Sequence, residues 1–191
     1  MDSAVLAALA KWPDVPDVYG WLSLTARGQW RIRGEAIGNA AIRQFIGRNY
    51  ERDALGRWFF QNGPQRVFVS LAVTPWVLRI DAGSVTAHNA MGVSRCVGAA
   101  MLNDGRVILD TEAGAGLVDD RDAARVMDAF VDVRGVALDD TELAAAIDGD
   151  SVACIATERL GLAGGRVPLE RLAFDQIEAR FGFVREPREG L

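Results

Sequence analysis

Five arginines and five carboxylates are the residues of this 191-residue chain whose types and spacing suit chemistry. Arg31, Arg33, Arg57, Arg66 and Arg79 alternate with aromatic and aliphatic positions. On strands, successive side chains point to opposite faces, so this alternation gathers guanidinium groups on one sheet face beside Trp21 or Phe68. A guanidinium fork on an aromatic surface holds a carboxylate, a phosphate or an acidic segment of a protein partner. The bland counterpart is the solvated outer face of a half-buried antiparallel sheet.

Asp110, Glu112, Asp119, Asp120 and Asp122 cluster beside a glycine loop. Grouped carboxylates bind Mg²⁺ or Ca²⁺, or serve as acid and base in a small metal-dependent hydrolase or transferase. Their spacing fits no EF-hand. Asp119, Asp120 and Asp122 equally suit the cap and first turn of a helix, where negative charge meets the positive end of the helix dipole. Gly114-Ala115-Gly116 sits where a dinucleotide-binding loop would sit. The place of its third glycine is held by Asp119, whose charge repels a pyrophosphate.

His88 is the only histidine, which excludes a multi-histidine metal site, and no GxSxG accompanies it. It reads as an exposed loop residue. Cys96 and Cys154 stand in apolar surroundings without a CxxC, and read as buried free thiols of a reducing compartment. No catalytic residue, metal or cofactor is assigned from these patterns.

The elements that must position these residues are legible in part. Gly56 to Asp81 is the longest strand-forming run, broken at Gly63-Pro64 and Thr74-Pro75, and is expected to supply inner strands. Before it come a short helix over 2–11, a linker enforced by Pro13 and Pro16, a hairpin over 19–34 and a helix over about 40–50 capped by Asn39. After it, 83–93 is weakly patterned and reads as a boundary or long loop. A second hairpin turns at Asn103-Asp104-Gly105. Gly114-Ala-Gly116 reads as a loop into a helix over about 120–131. Asp139 caps a helix over about 140–147, Ser151–Ala156 is a strand, and a last helix over about 174–181 ends at Gly182. The tail from Arg185 is expected to fray.

Half the residues are hydrophobic and a quarter charged, ordinary for a folded chain of this size. The net charge of −5 is uneven: residues 1–90 carry ten basic and seven acidic side chains, and residues 91–191 eleven and nineteen. An acidic protein without a recognisable motif argues against nucleic acid as a partner. The apolar run Ala4–Ala10 follows Asp2 and is too short for a membrane span, so no membrane association and a cytoplasmic location are expected.

Gly56-Arg-Trp-Phe-Phe-Gln-Asn-Gly-Pro-Gln-Arg-Val, Thr74-Pro-Trp and Trp30 with Gly34-Glu-Ala-Ile37 resemble a group of uncharacterised proteobacterial domains of unknown function. The resemblance concentrates in residues 20–80. It implies repeated α+β motifs and a role in signalling, and carries no catalytic residues. Glycine turns entering strands at Gly56-Arg57, Gly105-Arg106 and Gly165-Arg166 agree with such a repeat. The expectation is an α+β fold of antiparallel sheets and short helices, with turn-strand-helix units in two packed halves. These are a Trp/Arg-rich half over 1–82 and an acidic half over 95–191, joined by 83–94. The expected function is a non-enzymatic binding or regulatory module for an anionic small molecule or protein partner. Oligomeric state is open.

Overall fold

A computed structural model describes residues 1–12, 15–81, 83–149 and 151–190. Pro13, Ala82 and Leu191, on which parts of the expectations above fall, lie outside them. The chain forms two units, residues 1–75 with 182–191, and residues 76–181.

The first unit is built from α1 (Ser3–Lys11), β1 (Val18–Leu24), β2 (Trp30–Ile32), β3 (Glu35–Ala36), α2 (Ala40–Arg48), β4 (Tyr50–Arg52), β5 (Trp58–Asn62) and β6 (Gln65–Leu71). Its sheet has the order β3-β2-β1-β6-β5-β4. The hairpins β1–β2 and β5–β6 are antiparallel, as their turns dictate. A parallel β1–β6 pair joins them. Alternation then sorts the side chains. Leu22, Ile32, Val67 and Phe60 share one face, while Arg31, Phe68, Arg66 and Phe59 share the other. The register of β1 against β6 slips between Val18 and Leu22, and Gly20 (φ 72°) lies in the slip. This bulge turns Trp21 outward, leaving it 49% exposed.

The tail from Gly182 returns to this unit. Val184 N–H donates to Gly56 O and Leu71 N–H to Arg185 O. Gly56 (φ 81°) permits the approach, since a Cβ there would lie 2.6 Å from Gly182 O. Arg185 is therefore held by a main-chain hydrogen bond where fraying was expected.

The second unit contains β7 (Trp76–Asp81), β8 (Ser84–Ala87), β9 (Gly92–Val93), β10 (Cys96–Leu102), β11 (Val107–Thr111) and β12 (Gly114–Val118). A 3₁₀ turn (Asp120–Asp122), α3 (Ala123–Met127), β13 (Phe130–Val131), α4 (Asp140–Asp148), β14 (Cys154–Ala156), β15 (Arg166–Leu172) and α5 (Ile177–Phe181) follow. The strand order is β13-β14-β15-β10-β11-β12-β7-β8-β9. Leu78, Met101, Ile108, Leu109 and Ile155 are fully buried in its core. Asp139 and Glu142 form the reciprocal cap of α4, and Gly149 closes it in the left-handed region.

The α+β class holds, with two differences of detail. The sheets are mixed, because β1–β6, β12–β7 and β10–β15 are parallel. These pairs join segments distant in sequence, where no turn announces them. The units also part at Pro75/Trp76, not within 83–94, which supplies β8 and β9 to the second sheet. Among the described residues no helix is long and apolar enough to cross a membrane.

Candidate ligand-binding site

The five arginines are divided between the two units. Arg79 lies in the second unit; the other four lie in the first. Arg57 closes its own turn. Its Nε donates to Asp53 Oδ2 at 2.7 Å, and its guanidinium caps the Phe68 ring at 4.6 Å. Burial alone would raise the Asp53 carboxyl, but hydrogen bonds from the Arg57 main chain and side chain outweigh it and hold the group below its ordinary range. Arg66 lies over Phe59 at 5.0 Å on the same face. Arg31 donates through Nη1 to Gly34 O, and its buried Nε has no partner among the described residues.

Arg33 differs from the rest. Arg33 and Gly34 form the two-residue loop between β2 and β3, with φ of 48° and 85°. Such a loop suits Asn, Asp or Gly, and an arginine there stores backbone strain of about 1 kcal/mol. Arg33 N–H donates to Trp21 O at 2.7 Å, and the guanidinium stacks 3.8 Å from the Trp21 ring centroid. It makes no ion pair among the described residues.

Trp21 is also the wall of a cavity of about 410 Å³. The floor is the apolar sheet face, with Leu22, Ile32, Phe60 and Val67. The roof is α2, through Ile42, Phe45 and Ile46. Ile46 is buried, whereas Ile32 and Ile42 are 44% and 46% exposed, so apolar side chains reach the mouth. The side chain of Asn39 accepts from Ala41 N–H and Ile42 N–H, fixing the first turn of the roof. Arg43 ties that turn to Ile37 O and Gly38 O. The volume falls in the range of small-molecule pockets, and the lining has their mixture of apolar wall and few polar groups.

The carboxylates of 110–122 are spent individually. Asp119 accepts twice from Arg121, which holds it down to about 2. Asp122 accepts from Arg79 Nε and Ile80 N–H. Glu112, between β11 and β12, accepts from the main-chain N–H groups of Ser94 and Arg95. Asp110 lies 4.0 Å from Arg180, and burial raises it. Asp120 opens the 3₁₀ turn. Among the described residues no three His, Cys, Asp or Glu side chains group as metal ligands, so the carboxylates do not converge as a metal-dependent reaction needs.

A family model described as "Protein of unknown function (DUF2946)" matches residues 1–188. The chain belongs to this family, DUF2944. The expected membership of an uncharacterised group therefore holds. The fold is shared with a DUF1285 family protein from Silicibacter pomeroyi DSS-3, at TM-score 0.52 and 15% identity over 93% of this chain and 99% of that one. A DUF1285 family protein from Shewanella baltica OS155 matches at TM-score 0.42 and 15% identity over 53% of this chain and 85% of its own. No curated protein matches.

Within this family member, two candidate residues have structural employment. His88 is half-buried against Trp76, at 5.6 Å between rings, and its Nδ1 accepts from Val77 N–H at 3.4 Å. It lies in a turn, as the weakly patterned 83–93 segment suggested, but it is not exposed. Gly116 lies in β12, not in a phosphate loop. A Cβ there would sit 2.6 Å from Leu78 Cγ, so the glycine lets β12 and the Leu78 side chain pack. Cys96 and Cys154 are buried free thiols, and burial pushes Cys96 up to about 11, against use as a nucleophile. Sequence reasoning missed the cavity. Its one available signal was an exposed-type position, Trp21, filled by tryptophan beside Gly20.

Proposed function

We propose that the chain is a non-enzymatic binding module whose first unit takes an anionic small molecule at Trp21 and Arg33. The observation that carries this reading is a strained arginine, unpaired among the described residues, stacked on the ring that walls a cavity. A guanidinium held over an indole keeps N–H groups for an incoming carboxylate or phosphate. Arg57 and Arg79 stabilise the fold instead, since each is committed to a carboxylate. Arg31 and Arg66 add positive potential on the opposite sheet face. Binding rather than turnover is the reading because the cavity wall brings no nucleophile and base together.

The test is a titration of Trp fluorescence with a panel of carboxylates and inorganic phosphate, on the parent and on Arg33→Asn. Asparagine suits the left-handed loop position, so the variant folds as stably as the parent while losing the guanidinium. A saturable response that Arg33→Asn weakens about tenfold supports the reading. No response, or one indifferent to the substitution, overturns it.

A further inference from the structure

The cavity also specifies what the anion is attached to. We infer that the ligand is a straight-chain aliphatic carboxylate whose hydrocarbon lies beneath α2 and whose head group meets Arg33. This rests on the anion-binding reading above and adds the shape and polarity of the remainder.

The cavity runs across four neighbouring strands, from Ile32 on β2 through Leu22 on β1 and Val67 on β6 to Phe60 on β5. Three interstrand steps span roughly 14 Å, longer than an amino acid or an inorganic anion. Along this length the floor and roof are aliphatic or aromatic. Polar side chains stand only where Asn62 and Gln65 meet at the β5–β6 hairpin, and the Gln65 amide already donates to Pro16 O. A polar metabolite lying here would leave its hydroxyl or amide groups unsatisfied, which disfavours it. The lining holds no charged side chain among the described residues, and Arg33 stands beside it at Trp21. A single charge at one side of an apolar trough matches a single head group on an apolar chain. A partner peptide would need main-chain hydrogen bonding along the trough, and β1, β6 and β5 already spend theirs on each other.

The experiment compares dodecanoate, hexanoate, acetate, inorganic phosphate and dodecanol by calorimetry and Trp fluorescence at submicellar concentration. Dodecanoate binds saturably, hexanoate more weakly by roughly fourfold for each methylene that leaves the cavity, and acetate not at all. Arg33→Asn costs dodecanoate about tenfold and leaves dodecanol unchanged. Ile42→Glu alters an exposed position of the roof, so the protein folds, and it abolishes binding of dodecanoate. Acetate or phosphate binding as tightly as dodecanoate, with loss in Arg33→Asn, overturns the aliphatic chain and leaves the anion reading standing. Dodecanol binding as tightly as dodecanoate, with Arg33→Asn silent, overturns both. No binding by any of the five overturns both as well.

Discussion

Arg79 Nε donates to Asp122 Oδ2 across 2.7 Å. One of these residues was a candidate for holding an anion and the other for holding a cation. Each instead neutralises the other. Asp122 is 4% exposed at its side chain and also accepts from Ile80 N–H, so it joins the 3₁₀ turn before α3 to the C-terminal half of β7. Charge pairing thus builds the second unit and leaves no unspent carboxylate at this point for chemistry.

Asp122→Ala is expected to destabilise the protein by about 2–4 kcal/mol in urea denaturation, since it leaves Ile80 N–H and Arg79 without their acceptor. Arg79→Met costs less, about 1 kcal/mol, because the guanidinium is 42% exposed and screened by water. The pH dependence has a defined sign. Burial alone would raise the Asp122 carboxyl, but Arg79 and Ile80 N–H outweigh it and lower the pKa from 3.8. The stabilisation is therefore complete near neutral pH and is lost only as pH falls below 3.8. Equal losses for the two variants would show that the Ile80 hydrogen bond contributes nothing.

His88 titrates in a different window. Burial pushes its imidazole from 6.5 down to about 4, so the folded protein keeps it neutral where the unfolded chain protonates it. Unfolding then takes up a proton between those values, and stability falls as pH drops from about 6.5 towards 4, by at most about 3 kcal/mol. His88→Gln removes this slope. Urea midpoints measured from pH 4 to pH 7.5 on both proteins decide it. A parent whose slope is unchanged in the variant would place the titrating group elsewhere.

Local chemistry was legible and closure was not. Asn39, Asp139 with Glu142, and Asn103-Asp104-Gly105 announced their caps and turn because each acts on neighbours within four residues. The alternation that placed Arg31 and Arg66 on the face of Phe68 was legible for the same reason. The long run Gly56–Asp81 does supply inner strands, but of two sheets, since the chain leaves the first at Thr74-Pro75. Its parallel neighbours β1 and β12 come from 40 or so residues away in either direction, with only apolar residues to match and no turn to mark them. The cavity needed that closure. It exists because β1 bulges at Gly20 and because α2 crosses strands that the sequence does not show to be adjacent. Arg33-Gly34 was visible as the end of a strand; that it is a two-residue loop with an arginine in the strained position is a fact of φ alone.

Asn39 is where a readable local signal controls the unreadable site. Its Oδ1 accepts from Ala41 N–H at 2.9 Å and Ile42 N–H at 3.2 Å, and Ile42 is the residue of the roof nearest that cap in sequence. Asn39→Ala is expected to cost about 1 kcal/mol of stability and to fray the first turn of α2, which carries Ile42 over the mouth. Phe45 and Ile46, deeper in the helix, keep their places against Phe60, whose ring meets that of Phe45 edge-on at 5.5 Å. Amide hydrogen exchange reads the fraying directly, with faster exchange at 41–43 and unchanged protection at 45–48. Dodecanoate affinity should fall several-fold in the same variant through loss of the ordered roof, and restoring the cap with Asn39→Asp should recover the exchange protection. Uniform acceleration along the whole helix would mean that α2 unfolds as one piece and that its cap does not separately govern the cavity.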